Sequence, residues 1–236
     1  MKFHAPLIRG QLIKRYKRFM ADVTLENGEL VTAHCANSGS MLSINEPGAE
    51  VWLSPAKNPD RKLKFTWEMI RINKSLVGVN TQHPNTLVAE AIEAGVVPSL
   101  TGFENLRREV KYGKNSRIDV LLEMGAGRDC YVEVKNVTMR RNLIKGAPAE
   151  FPDGVTARGA KHLMELSDMV KEGHRAVMFY LLQRGDADIM TIARDLDPHY
   201  GEALDKARRA GVEVVAFNCK MSTNAITVAK PVELLG

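Results

Sequence analysis

The sequence predicts a two-domain α/β (α+β) chain: an OB-like β-barrel over residues 1–82, then an α/β domain with a central mixed sheet over residues 83–236. Two observations carry that expectation. Before residue 80, short apolar–polar runs alternate with turn residues and show no helical period. From His83-Pro84 onward, helical segments alternate with strand-like ones, the pattern of a sheet covered by helices.

In the first part, residues 19–25 and 30–36 flank Asn27-Gly28, a strong hairpin signal. Further strands are expected at 50–54, 67–73 and 76–80, and the polar, basic run 55–64 reads as a loop. Several short strands in so small a space suggest a barrel, and an OB fold fits. In the second part a helix is expected over 85–95, with Asn85 as N-cap and Gly95 as its stop. Strands follow at 105–111, 116–123 and 130–137, then a helix at 155–172 and a strand at 176–182. A helix at 200–210, stopped by Gly211, precedes a last strand at 212–219.

The chemistry concentrates in the middle strands. Residues 116–123 put Ile118, Val120 and Leu122 on one face and Arg117, Asp119, Leu121 and Glu123 on the other. After the glycine-bearing turn 124–128, the next strand places Tyr131, Glu133 and Lys135 on a single face. A turn centred on Ala126 sets Asp119 opposite Glu133 and Arg117 opposite Lys135. Both pairs are like-charged, which destabilises a ladder. Diagonal pairing, Asp119 with Lys135 and Arg117 with Glu133, would neutralise them. Otherwise Asp119 and Glu133 hold a Mg²⁺ or Mn²⁺ ion, and Lys135 points at a phosphate oxygen or an attacking water. The earlier copy, Glu109-Val110-Lys111, has no Arg-x-Asp strand shortly before it and reads as an outer strand of the same sheet.

Basic residues suggest a polyanionic partner. Lys14, Arg15, Lys17 and Arg18 surround Tyr16, pairing cations for phosphates with a ring for stacking; a solvated edge strand is the competing reading. Arg158, Lys161, His162 and Glu165 recur along one stripe of the 155–172 helix, whose packed side is Leu163, Leu166 and Val170. Lys57, Arg61, Lys62 and Lys64 add charge to the 55–64 loop. Net charge is +5, with 44% hydrophobic and 26% charged residues, ordinary values for a globular chain that is mildly basic.

Composition excludes several classes. Cys35, Cys130 and Cys219 are odd in number and far apart, as expected of free thiols in a reducing cytoplasm. His34 beside Cys35 lacks a second ligand pair for zinc. No apolar run is long enough to span a membrane and no signal core opens the chain, so a cytoplasmic protein is expected. Gly125-Ala126-Gly127 precedes a strand and so is no dinucleotide loop, and Asn37-Ser38-Gly39-Ser40 lacks the nucleophile elbow of a serine hydrolase.

Asp119, Glu133 and Lys135 resemble the motif of the PD-(D/E)XK nuclease superfamily, in which a helix with an acid, a strand, an Asp-bearing strand, a Glu-x-Lys strand and a further helix follow in order. That resemblance implies Glu90 as the helix acid, the Val134 carbonyl as a further metal ligand, and Lys161 and His162 as phosphate or water contacts. A closer resemblance runs along nearly the whole chain. Residues 12–19, Ser38-Gly39-Ser40-Met41, 109–113, 151–156 and 158–163 look like the sugar fermentation stimulation protein A family. Ala36 and Ser38 depart from it, where Pro and Thr are usual. Membership implies a prokaryotic cytoplasmic protein that binds DNA without sequence preference, is linked to regulation of sugar (maltose) use, and joins an OB-like barrel to a nuclease-like domain. The expected function is therefore nonspecific DNA binding, mainly through the phosphate backbone. The alternative is a divalent-metal-dependent DNA or RNA nuclease using Asp119, Glu133 and Lys135. A sensor of sugar metabolites finds no supporting motif, and oligomeric state, homodimer included, is left open.

Overall fold

The computed structural model describes residues 1–113, 116–125 and 127–235. The first six strands are β1 (Ile8–Tyr16), β2 (Met20–Leu25), β3 (Leu30–His34), β4 (Glu50–Pro55), β5 (Phe65–Ile72) and β6 (Ser75–Gly78). They run in the order β3-β2-β1-β4-β5-β6, and a parallel pairing of β3 with β5 closes the first five into a barrel. Alternation explains the closure: Ala21, Val23 and Leu25 of β2 point inward to Leu12, Leu53, Trp67 and Ile70. Gly10 permits the tight β1–β2 approach, since a Cβ there would lie 2.8 Å from the Thr24 carbonyl oxygen.

The second domain contains α1 (Pro84–Glu93), β7 (Asn105–Tyr112), β8 (Ser116–Glu123), β9 (Cys130–Val137), β10 (Ala149–Phe151), α2 (Ala157–Lys171), β11 (Arg175–Leu182) and β12 (Ile189–Ile192). It continues with α3 (Pro198–Arg209), β13 (Glu213–Met221), β14 (Ile226–Pro231) and β15 (Glu233–Leu235). The main sheet is mixed, in the order β14-β13-β11-β9-β8-β7, with β9, β11 and β13 parallel and the outer pairings antiparallel. One face packs against α1 through Leu87, Val88 and Ile92; the other packs against α2 and α3 through Leu163, Leu166 and Leu204. Trp52 and Met69 of the barrel join the core on the α1 face, so the two domains share apolar packing.

The fold class is the expected one, and the differences are local. Asn85 does not cap α1: His83 precedes the helix with no side-chain cap, and Pro84 occupies its first turn. Gly95 does end it, with φ +69° and the Val96 N–H donating to the Ala91 carbonyl. Of the basic 12–19 segment, residues 12–16 lie in β1 and pair with β2 alone, since β4 pairs only with Ile8–Gln11, so the basic end of the strand is an edge, as the competing reading has it. The small parallel sheet β10-β12-β15 and strand β14 went unforeseen, being three to six residues long.

Candidate metal and nucleic-acid site in the strand fork

Between β8 and β9 the register is the expected one over Val120–Val132, Leu121–Tyr131 and Leu122–Cys130. Ala126, the centre of the expected turn, lies outside the described residues. Pairing stops one step before Asp119 and Glu133, and the strands fork there. Asp119 fills the fork: its Oδ2 accepts the Val134 N–H at 2.7 Å, the bond a neighbouring strand would otherwise make. The N–H and C=O of one strand residue point to the same side, so the Val134 carbonyl faces the fork too. The expected alternation fails beside it, because Ile118 packs under α2 with Leu121 instead of joining Val120 and Leu122 on the α1 face.

The neutral diagonal network does not form. Lys135 Nζ lies 2.7 Å from Glu133 Oε1 on its own strand. His162, buried on α2, bonds the same Oε1 through Nδ1, while its Nε2 takes the Arg158 Nε–H at 3.3 Å. A proton on Nδ1 serves the Glu133 contact. The second oxygen of Glu133 is buried and has no hydrogen-bond partner. Such an orphan acceptor costs free energy unless something outside the protein completes it.

The two carboxylates are electrostatically unequal. Burial would raise the Glu133 carboxyl, but the His162 bond and the Lys135 charge outweigh it and hold it below its ordinary value. Asp119 is pushed up to about 6 by burial and then by the Glu133 charge, against the Val134 N–H, Lys135 and Asn85. A paired acid site with one member strained towards neutrality attracts a cation.

Asp119 opens onto a cavity of about 700 Å³ lined also by Glu109, Lys111, Tyr112, Arg117, Arg158, Lys161 and His162. Its rim is cationic and its floor acidic. Lys111 pairs directly with Arg117 across β7 and β8, a like-charged juxtaposition that folding alone does not favour. Sequence reasoning missed both as site residues, because the Glu109-Val110-Lys111 copy read as a bystander strand. The signal was there in Arg117, two residues from Asp119.

Other expected residues are placed elsewhere. Glu90 is not in the fork: it is half exposed, and its Oε2 lies 2.6 Å from the Met1 amine. The residue α1 does present is Asn85, which donates to Asp119 Oδ1 at 2.7 Å; five residues further along a helix faces another side. Arg15 is spent internally, on the carbonyls of Arg18, Asn37 and Gly39. Tyr16 donates its hydroxyl to Asp22, and Lys14 sits 5.4 Å from the Tyr16 ring centre. Lys17 and Arg18 are exposed at the β1–β2 turn. Arg61 bonds the carbonyls of Leu63 and Phe65, holding its own loop.

Among the described residues no three His, Cys, Asp or Glu side chains converge as a ready-made ligand set. A cation in the fork would therefore rest on Asp119, the free oxygen of Glu133 and the Val134 carbonyl, a set of oxygen donors in which the Glu133 oxygen has no other partner. The three cysteines are buried free thiols, and no described helix is long and apolar enough to cross a membrane.

Comparison with known proteins agrees over the full length. The SfsA N-terminal OB domain matches residues 13–79, and the sugar fermentation stimulation protein RE domain matches residues 82–225. A sugar fermentation stimulation protein homolog from Rhodospirillum rubrum is 57% identical over 94% of this chain and 93% of its own. One from Paramagnetospirillum magneticum is 55% identical over 99% and 98%. Among solved structures, Pyrococcus furiosus SfsA in complex with Ca²⁺ superposes with a TM-score of 0.88 at 24% identity, covering 100% of this chain and 98% of that one. With both domains matched and relatives more than half identical along almost its whole length, the chain belongs to the sugar fermentation stimulation protein (SfsA) family.

Proposed function

We propose that this protein binds DNA along its phosphate backbone, without sequence preference, and hydrolyses phosphodiester bonds in the strand fork with the help of Mg²⁺ or Mn²⁺. One observation carries the reading: the half-buried Asp119 opens onto a cavity lined by Lys111, Arg117, Arg158 and Lys161, and across the strand fork from it stand the buried Glu133 and its partner Lys135. Cations around the rim draw in a polyanion; acids on the floor repel it unless a metal ion intervenes. The Ca²⁺ complex of the P. furiosus relative is in keeping with a hard, oxygen-liganded cation.

When bound, the cation would polarise a phosphoryl oxygen and lower the pKa of a coordinated water. Asp119, Glu133 and the Val134 carbonyl would hold it. Lys135, fixed by Glu133, would donate to the non-bridging oxygen where negative charge develops. His162 clamps the far side of Glu133 and so orients its free oxygen, a positioning role. Arg158 and Lys161 at the start of α2 would take flanking phosphates, with Lys14, Lys17 and Arg18 extending the track on the barrel. The relatives' name supports a role in stimulating sugar fermentation. Control of sugar (maltose) use in the cytoplasm through DNA contact is the corresponding proposal.

The second reading is DNA binding without cleavage, favoured by the exposed cations at the β1–β2 turn, far in sequence from the acids. A cleavage assay on duplex, single-stranded and branched DNA and on RNA, with Mg²⁺ or Mn²⁺, separates the two. Cutting lost in both Glu133→Ala and Lys135→Ala is the expected result. Salt-sensitive binding with no cutting under either metal would leave binding alone.

A further inference from the structure

The resemblance that led to Glu90 leaves the site one acid short, and a different residue stands at the vacancy. Glu109 lies in β7, in the strand that the sequence suggested was a bystander. Its φ is +53°, the left-handed region that a non-glycine residue enters at a cost of roughly 1–2 kcal/mol. Every pair of the β7–β8 ladder from Asn105–Glu123 to Tyr112–Ser116 forms except one, Glu109 with Asp119. The register is the same on both sides, so this is no bulge but a strained residue within the ladder, and such residues cluster at active sites. Here the Glu109 carboxylate lines the same cavity as Asp119.

The two acids share a partner. Asn85 Nδ2 lies 3.0 Å from Glu109 Oε1 and 2.7 Å from Asp119 Oδ1, so one nitrogen sits between two carboxylates. An amide NH₂ held this way marks a point of strongly negative potential. The Tyr112 hydroxyl, in a residue 8% exposed that lines the cavity wall, lacks a partner although buried, and Glu133 Oε2 in the adjoining fork lacks one too. Buried polar atoms without partners at an acidic cavity call for a bound cation and its waters.

We propose that Glu109 is the missing acid of the site, and that Glu109 and Asp119 together hold a second divalent cation at the cavity mouth, where the Asn85 amide now stands. Asp119 then bridges two positions: an inner one shared with Glu133 and the Val134 carbonyl, and an outer one shared with Glu109. Two cations sharing the Asp119 carboxylate would supply the charge that in-line phosphodiester displacement needs. The Tyr112 hydroxyl, pushed far above its ordinary pKa by burial and then by Glu133, stays protonated and can donate to a metal-bound water or a phosphoryl oxygen. Glu90, tied to the Met1 amine, takes no part.

This inference rests on the metal-dependent reading above, and its test uses metal binding in place of turnover. Mn²⁺ is titrated into the full chain without nucleic acid, with free Mn²⁺ followed by electron paramagnetic resonance. Wild type and Glu90→Gln should each bind two equivalents, Glu109→Gln one, and Asp119→Asn neither with comparable affinity. Glu109 is exposed, so its variant should keep the wild-type circular dichroism and melting temperature; Glu109→Asp, which keeps the charge, should recover part of the second equivalent. Two equivalents with unchanged affinity in Glu109→Gln would overturn the assignment of Glu109. A single equivalent in wild type, lost in Asp119→Asn, would overturn the outer position and leave the inner one standing. No Mn²⁺ bound by wild type would overturn the metal-dependent reading itself.

Discussion

The Asp119 carboxylate accepts the backbone N–H of Val134 at 2.7 Å, one residue beyond the last pair of the β8–β9 ladder. A side chain thus takes the place of a strand and keeps the fork open. The acids are where they are because the sheet comes apart there.

The cationic rim should be measurable apart from the acids. Lys111→Ala and Arg117→Ala should each reduce the slope of log K against log salt for DNA by about one. Either change should also raise stability at low salt by roughly 0.2–1 kcal/mol, because the two cations face each other across the ladder. Equal slopes in wild type and both variants, in fluorescence-anisotropy titrations at several salt concentrations, would remove this rim from the DNA contact.

Arg15 and Lys17 are near neighbours with opposite expected phenotypes. Arg15 bonds three backbone carbonyls, so Arg15→Ala should cost about 2 kcal/mol in denaturant unfolding. Lys17 is exposed at the turn, so Lys17→Ala should change stability by less than about 0.5 kcal/mol. Affinity for DNA should fall in the Lys17 variant at high and low denaturation margin alike. A Lys17 variant that binds DNA as tightly as wild type would take the barrel turn out of the interface.

How much of this was legible follows from the kind of signal each feature leaves. The β8–β9 register could be read because a short turn and two alternating strands leave few alternatives, and three pairs match it. The acid–lysine grouping was equally local, Glu133 and Lys135 being two residues apart on one face. Glu90 was misplaced because a helix of the right length puts several residues within reach of a sheet, and only the packing of Leu87, Val88 and Ile92 decides which face turns inward. Glu109 was passed over for a related reason: a left-handed residue inside a strand breaks the alternation on which the face assignment rests. Arg15 and Arg61 looked like phosphate contacts because their carbonyl partners are mostly unmarked backbone atoms.

Acid sensitivity should trace in part to the barrel. Glu68 is buried and accepts bonds from Ser54 Oγ at 2.6 Å, Asn80 Nδ2 at 2.9 Å and His83 Nε2 at 2.7 Å. Burial alone would raise its pKa, but these donors, His83 foremost, hold it below the ordinary 4.5. A carboxylate depressed in the folded state adds stability that is fully present above the unfolded value and lost as pH falls through the folded one. Stability should therefore decline from about pH 4.5 downward, where the unfolded chain begins to take up the proton first. Glu68→Gln should be less stable than wild type at pH 7 and show a shallower decline below pH 4.5. Parallel curves for the two proteins in chemical denaturation would assign the acid limb to other carboxylates.

Asp119→Asn offers the sharpest contrast, because binding and cutting should move in opposite directions while the fold holds. Without metal, Asp119 is held near pH 6 by burial and by the Glu133 charge, so its ionised form weakens the folded state at pH 8. Asparagine removes that repulsion and keeps an oxygen for the Val134 N–H but gives up the bond from Asn85, so apo stability at pH 8 should stay within about 1 kcal/mol of wild type. Affinity for DNA without metal should rise, since one negative charge leaves the cavity floor. Mn²⁺- or Mg²⁺-dependent cutting should disappear, and so should the stabilisation that the cation gives wild type by binding the native state alone. A variant that binds DNA more tightly, stays folded and still cuts with Mg²⁺ would separate Asp119 from the chemistry and move the reaction out of the fork.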